Sequence, residues 1–123
     1  MIKADEQHTR ARGMRAEDIA SKHLEKLGYR VVERNFMCKV GEIDLIAQHD
    51  GTLVFVEVRS RRDKEAVDPI YSVDVRKQKK LVRTAQFYLA TRFSEYPICR
   101  FDVVIVTLGK PPDIMVLQDA FSE

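Results

Sequence analysis

Only two cysteines occur in the 123 residues, and they lie far apart. Cys38 and Cys99 have no CxxC partner and sit beside predicted strands, which argues against a zinc site or a disulfide framework and fits a reducing compartment such as the cytoplasm. No apolar run approaches the length of a membrane span. The opening residues, Met1 to Arg12, are polar and mixed in charge, unlike a secretory leader. Internal repeats and low-complexity segments are also lacking. The expectation is a cytoplasmic protein without membrane contact, with a disordered tail over 1–12 and a single domain over 13–123. A hydrophobic content of 45% supplies one core, and the length is too short for two.

The net charge of +2 is close to neutral but hides a local excess. Arg59, Arg61, Arg62, Lys64, Arg76, Lys77, Lys79, Lys80 and Arg83 outnumber Asp63, Glu65, Asp68 and Asp74 within one stretch. Such a cluster attracts a phosphate backbone, although basic helix faces are often simply solvated. Nucleic acid is therefore the expected partner, and a homodimer is left open.

The strongest local signal is Gly41-Glu42-Ile43-Asp44-Leu45-Ile46, then Asp50-Gly51, then Leu53-Val54-Phe55-Val56-Glu57-Val58-Arg59. Asp-Gly between two alternating apolar runs predicts a hairpin with a type I′ turn, because both central residues need positive φ. Counting outward from the turn sets His49 opposite Thr52, Ile46 opposite Phe55, Asp44 opposite Glu57 and Glu42 opposite Arg59. Ile43, Leu45 and Ala47 then share a dry face with Val54, Val56 and Val58. Glu42, Asp44, Glu57 and Arg59 gather on the other face, beside Ile46, Phe55 and Leu53. Opposed carboxylates repel, and apolar neighbours add desolvation, so a cation is expected between them. The alternative is a polar rim balanced by Arg59 alone.

Around this hairpin the spacing predicts a helix from Gly13 to Leu27 with Gly28 as its stop, and a strand from Tyr29 to Phe36. A charged loop follows over Ser60 to Ile70. A second helix runs from about Val73 to Thr91, with Asp74 as first-turn acid or cap and Leu81, Ala85, Tyr88 and Leu89 as its buried stripe. Phe101 to Thr107 reads as a strand buried on both faces. A short last strand spans Ile114 to Leu117, with a brief helical turn at the end. The order αβββαβ(β) gives an α/β fold with a mixed sheet of about five strands, a right-handed parallel crossover between the third and fourth, and helices on both faces.

Gly13 with Glu17, Gly28-Tyr29, Arg34-Asn35, the two hairpin strands, Lys77-Gln78 and Arg100-Phe101-Asp102-Val103 together resemble the YraN family of small bacterial proteins, over roughly Gly13 to Leu117. That family is similar in fold to the restriction-endonuclease-like superfamily, which includes Holliday-junction resolvases. The superfamily signature is an acid on one strand and Glu-x-Lys on the next, holding a divalent metal. The resemblance implies that Asp44 and Glu57 are the metal ligands, that Arg59 stands at the lysine position, and that Glu17 matches an additional helix-one acid. Mg²⁺ or Mn²⁺ suits hard oxygen donors and keeps several waters, so two carboxylates and a backbone carbonyl such as that of Val58 would leave room for phosphate. Lysine can take part in proton transfer, whereas arginine stays protonated and only donates hydrogen bonds or stabilises charge.

The expected activity is thus a metal-dependent DNA phosphodiesterase acting on branched or irregular DNA. Asp44, Glu57, Arg59 and Glu17 would be its catalytic residues. Arg61, Lys77, Gln78, Lys79, Lys80 and Arg83 would track the nucleic-acid backbone. The alternatives are a binding or adaptor domain that retains the fold without turnover, and a domain whose acids hold a cation for stability alone. Bland readings remain beside these. Glu17 can be a surface acid, Glu42 can pair with Arg59, and Gln78 can be solvated. His23 and His49 are isolated and read as structural or exposed, and Asp102 is expected to pair with Arg100 or to cap a neighbour.

Overall fold

A computed structural model describes residues 4–62 and 74–121, the side chains of 4–12 apart. Its elements run α1 (Ala4–Lys26), β1 (Arg30–Met37), β2 (Glu42–His49), β3 (Thr52–Arg61), α2 (Val75–Arg92), β4 (Cys99–Thr107) and β5 (Asp113–Phe121). The five strands form one sheet in sequence order, antiparallel except for the parallel pair β3 and β4 that α2 connects. The described helices are not long and apolar enough to cross a membrane.

The turn behaves as its residues require. Asp50 and Gly51 have φ of 49° and 78°, and the ladder from His49↔Thr52 through Ile46↔Phe55 to Leu45↔Val56 is the register counted from the sequence. Alternate residues of these strands feed two cores. Ile46, Leu53, Phe55 and Phe101 pack against Leu81, Ala85, Tyr88 and Leu89 of α2. Leu45, Ala47, Val54, Val56, Val104 and Val106 pack against Ala16, Ala20 and Leu24 of α1. One helix therefore covers each face of the sheet.

Several local expectations need correction. Helix α1 starts at Ala4, so residues 4–12, expected to be a tail, are helical. Leu27, expected as the last helical residue, lies just beyond α1 and is exposed, where Gly28 with φ 92° turns the chain. Ile43 packs in the α2-side core with Phe36, its partner across β1, rather than with Leu45 and Ala47. Regular alternation fails beside it, where Asn35 has φ 54° and the β2–β3 ladder ends. The last strand is longer than Ile114 to Leu117 and extends to Phe121 in place of the expected helical turn. It absorbs an irregularity near Asp119, whose φ is 51°. The loop residues 63–73, including Lys64 and the Asp68-Pro69 pair, lie outside the described residues.

At the turn end of the sheet a polar network locks the strands. Asp102 is fully buried and accepts hydrogen bonds from Arg100 Nε at 3.0 Å, Tyr29 Oη at 2.8 Å and the Asp119 backbone at 3.0 Å. His49 stacks on Tyr29 at 4.0 Å and meets Arg100 through Nδ1 at 2.8 Å, which makes it structural. Among the described residues every buried polar side chain has a partner, as burial demands.

Candidate functional site

The opposite end of the hairpin is built differently. The β2–β3 ladder stops at Leu45↔Val56, whereas β3 stays paired with β4 as far as Arg61↔Thr107. The expected backbone pairs Asp44–Glu57 and Glu42–Arg59 are therefore absent from the ladder. Asp44 bridges the opening with its side chain, Oδ2 accepting the Val58 N–H at 2.8 Å. A cleft of about 370 Å³ lies here, and Glu42, Asp44, Glu57, Lys77 and Lys80 line it together with Cys38 and Gly41.

Gly41 explains how the cleft closes on α2. A Cβ at this position would stand 2.8 Å from Thr84 Oγ1 and 3.1 Å from Lys80 Cε, so the β1–β2 turn can approach the helix this closely only without a side chain. Thr84 is fully buried and is held by a bond to the Lys80 carbonyl at 2.8 Å. Asp74 caps the start of α2, accepting the Lys77 N–H at 2.9 Å. The cap sets where the first turn begins and so where Lys77 projects.

Glu57 is 8% exposed and carries two cations on one oxygen: Lys77 Nζ lies 2.8 Å and Arg59 Nη1 3.5 Å from its Oε1. Asp44 is half-buried, and its carboxyl is pushed up to about 7. Desolvation is the main cause and the Glu57 charge the next; the Val58 hydrogen bond opposes them, and Glu17 and Glu42 add further repulsion. Glu17 approaches from α1 and is itself raised by burial, despite a hydrogen bond with Asn35 and the charge of Arg34, which lies 4.0 Å away. Asp44 and Glu57 are thus brought together as expected, with Glu17 and Glu42 inside the same electrostatic neighbourhood.

The basic residues divide. Lys79, Lys80 and Arg83 are exposed along α2 and, with Arg76 and Lys77, line a groove of about 570 Å³ that shares Lys77 and Lys80 with the acidic cleft. Gln78 sits half-buried in the same turn, its N–H bonded to the Asp74 carbonyl. Arg61 does not join them: its Nε donates to Thr107 Oγ1 at 2.8 Å, on the neighbouring strand. Arg59 pairs with Glu57 on its own strand. Lys77, expected among the phosphate-tracking residues, instead extends its ammonium to Glu57. The one signal of this in the sequence is Asp74 three residues earlier, which fixes the helix start but says nothing of β3.

Among the described residues, no group of three or more His, Cys, Asp or Glu side chains is arranged to hold a metal. Two carboxylates whose mutual charge is costly nevertheless match Mg²⁺ or Mn²⁺, which are commonly held by one or two carboxylates with water completing the shell.

A mixed five-stranded sheet between two helices is an α/β fold, consistent with a nuclease-like architecture. The family model described as Uncharacterised protein family UPF0102 matches residues 16–106. A UPF0102 protein of Stutzerimonas stutzeri is 45% identical over 112 residues, covering 89% of this chain and 92% of the relative. Another from Symbiobacterium thermophilum is 46% identical, with 89% and 94% covered, and one from Nitrosococcus oceani is 45% identical, with 91% and 92% covered. The chain belongs to the UPF0102, or YraN, family.

Proposed function

We propose that this protein is a cytoplasmic, metal-dependent phosphodiesterase acting on DNA of branched or irregular structure. The observation that carries the reading is the pairing of Asp44 with Glu57 in a cleft that opens onto the basic groove of α2. Asp44 and Glu57 would hold Mg²⁺ or Mn²⁺, which when bound supplies Lewis-acid polarisation of a phosphoryl oxygen and a more acidic water. Val58 orients Asp44 through its N–H, and Glu17 deepens the negative potential behind it. Arg59, held on Glu57, donates hydrogen bonds to a phosphate without moving a proton. Lys79, Lys80 and Arg83 bind the backbone by charge, which selects the shape of the DNA rather than its base sequence.

A second reading, a nucleic-acid-binding domain without turnover, draws support from Arg59 at the lysine position and from Lys77 already compensating Glu57. Cleavage of forked, nicked and junction DNA with Mg²⁺ or Mn²⁺ separates the two. The wild type is expected to cut at least one of these, and Asp44→Asn and Glu57→Gln to abolish cutting while retaining DNA binding. Salt-sensitive DNA binding with no cleavage of any substrate would overturn the enzyme reading in favour of the second.

A further inference from the structure

The first turn of α2 contains no acidic residue and carries Arg76 and Lys77, although a helix N-terminus is itself partly positive and disfavours cations. Lys77 is half-exposed, lines both the acidic cleft and the basic groove, and rests its ammonium 2.8 Å from Glu57 Oε1. The oxygen it occupies belongs to one of the two carboxylates assigned to the cation. Arg59 approaches the same oxygen at 3.5 Å from the rigid strand β3, whereas Lys77 has a flexible four-carbon stem on the edge of the groove.

We propose that Lys77 couples the two halves of the site: it is the counter-ion of Glu57 until a divalent cation binds, and it then turns to the phosphate lying in the α2 groove. This rests on the metal-dependent reading above. A metal ion approaching Glu57 is repelled by the ammonium beside it. A phosphate in the groove draws that charge away and screens it, so DNA strengthens metal binding, and by linkage the metal strengthens DNA binding by the same factor. The device would keep the cleft poorly loaded with metal until a substrate backbone is present.

The test is a titration of free Mn²⁺ by electron paramagnetic resonance against wild type, Lys77→Met, Lys77→Gln and Lys77→Arg, alone and with a short DNA duplex of non-cleavable phosphorothioate linkages. Each variant is also melted to establish that it is folded. The backbone N–H of residue 77 still reaches Asp74 in every variant, so the helix cap survives. For the wild type, the duplex is expected to tighten Mn²⁺ binding roughly three- to tenfold, the scale of one unit charge roughly 6–12 Å from a divalent ion in water. Lys77→Met and Lys77→Gln should bind Mn²⁺ alone more tightly than wild type by a similar factor and gain little from the duplex. Lys77→Arg should stay close to wild type. Unchanged or weaker Mn²⁺ binding in both neutral variants, or a duplex effect that survives in them, would overturn the coupling while leaving the metal site standing. A wild type that binds no Mn²⁺ would overturn the metal reading and the coupling with it.

Discussion

Replacing Asp44 by asparagine should stabilise this protein at neutral and alkaline pH, the reverse of what loss of a hydrogen-bonded half-buried side chain ordinarily does. The Asp44 carboxyl is raised from its ordinary 3.8 to about 7 by desolvation and by Glu57. The folded state therefore holds this proton more tightly than the unfolded chain. Below pH 4 Asp44 is protonated in both states and costs nothing; as pH climbs from about 4 to 7 the unfolded chain releases its proton first and stability falls. Above pH 7 the loss is complete. At 1.36 kcal/mol per factor of ten in proton affinity, the upper bound is about 4 kcal/mol. Neighbouring cations and solvent relax the site, so about 2 kcal/mol is the working expectation. Asparagine can still accept the Val58 N–H, which isolates the charge effect. In a chain of this size the change corresponds to a rise of roughly 5–10 °C in Tm. Thermal melts of wild type and Asp44→Asn at pH 4 and pH 8, without divalent metal, read it directly: the two should coincide at pH 4 and separate at pH 8. Added Mn²⁺ should then raise the Tm of wild type and leave the variant unmoved. A variant that melts below wild type by the same margin at both pH values would refute the crowding of charge on which the site depends.

Other perturbations follow from the geometry. Gly41→Ala forces a Cβ to within 2.8 Å of the helix-anchored Thr84 hydroxyl, and should cost about 1–3 kcal/mol in chemical denaturation. Asp102→Asn leaves Arg100 facing a neutral group in the buried network, with an expected loss of about 3 kcal/mol by denaturant melts and no change in Mn²⁺ affinity, because the network lies at the other end of the hairpin. Arg59→Lys should raise the rate of Mn²⁺-dependent cleavage, measured on whichever DNA the wild type cuts, and a lower rate would assign Arg59 an essential guanidinium role. Lys79→Ala with Arg83→Ala should weaken duplex binding and flatten its salt dependence by roughly 0.9 for each phosphate no longer neutralised, read from the slope of log K against log salt; an unchanged slope would place the DNA elsewhere.

The hairpin was legible because its information is local. Asp50 and Gly51 impose positive φ, and alternation then assigns Leu45 and Val56 to one helix and Ile46 and Phe55 to the other. The α2 stripe was legible for the same reason, since Leu81, Ala85, Tyr88 and Leu89 recur at helical spacing. Thr84, which shares that buried face, was not, because a hydroxyl satisfied by its own helix looks polar in a sequence. The length of β5 was hidden too, its mixed burial being that of a sheet edge, where sheet hydrogen bonds rather than apolar contrast define the strand.

The sequence by itself determined that Asp44 and Glu57 come from adjoining strands of one ribbon, since a two-residue turn sets the register from His49↔Thr52 to Leu45↔Val56. Only the tertiary structure decided that the ribbon opens just beyond Leu45, that Asp44 spans the gap to Val58, and that Lys77 reaches Glu57 across the cleft. The physical reason is the parallel crossover: α2 returns over the sheet through residues far from β3 in the chain, and where its first turn lands depends on Gly41 yielding space and on Asp74 fixing the helix start. Neither effect has a local periodicity from which it could be read.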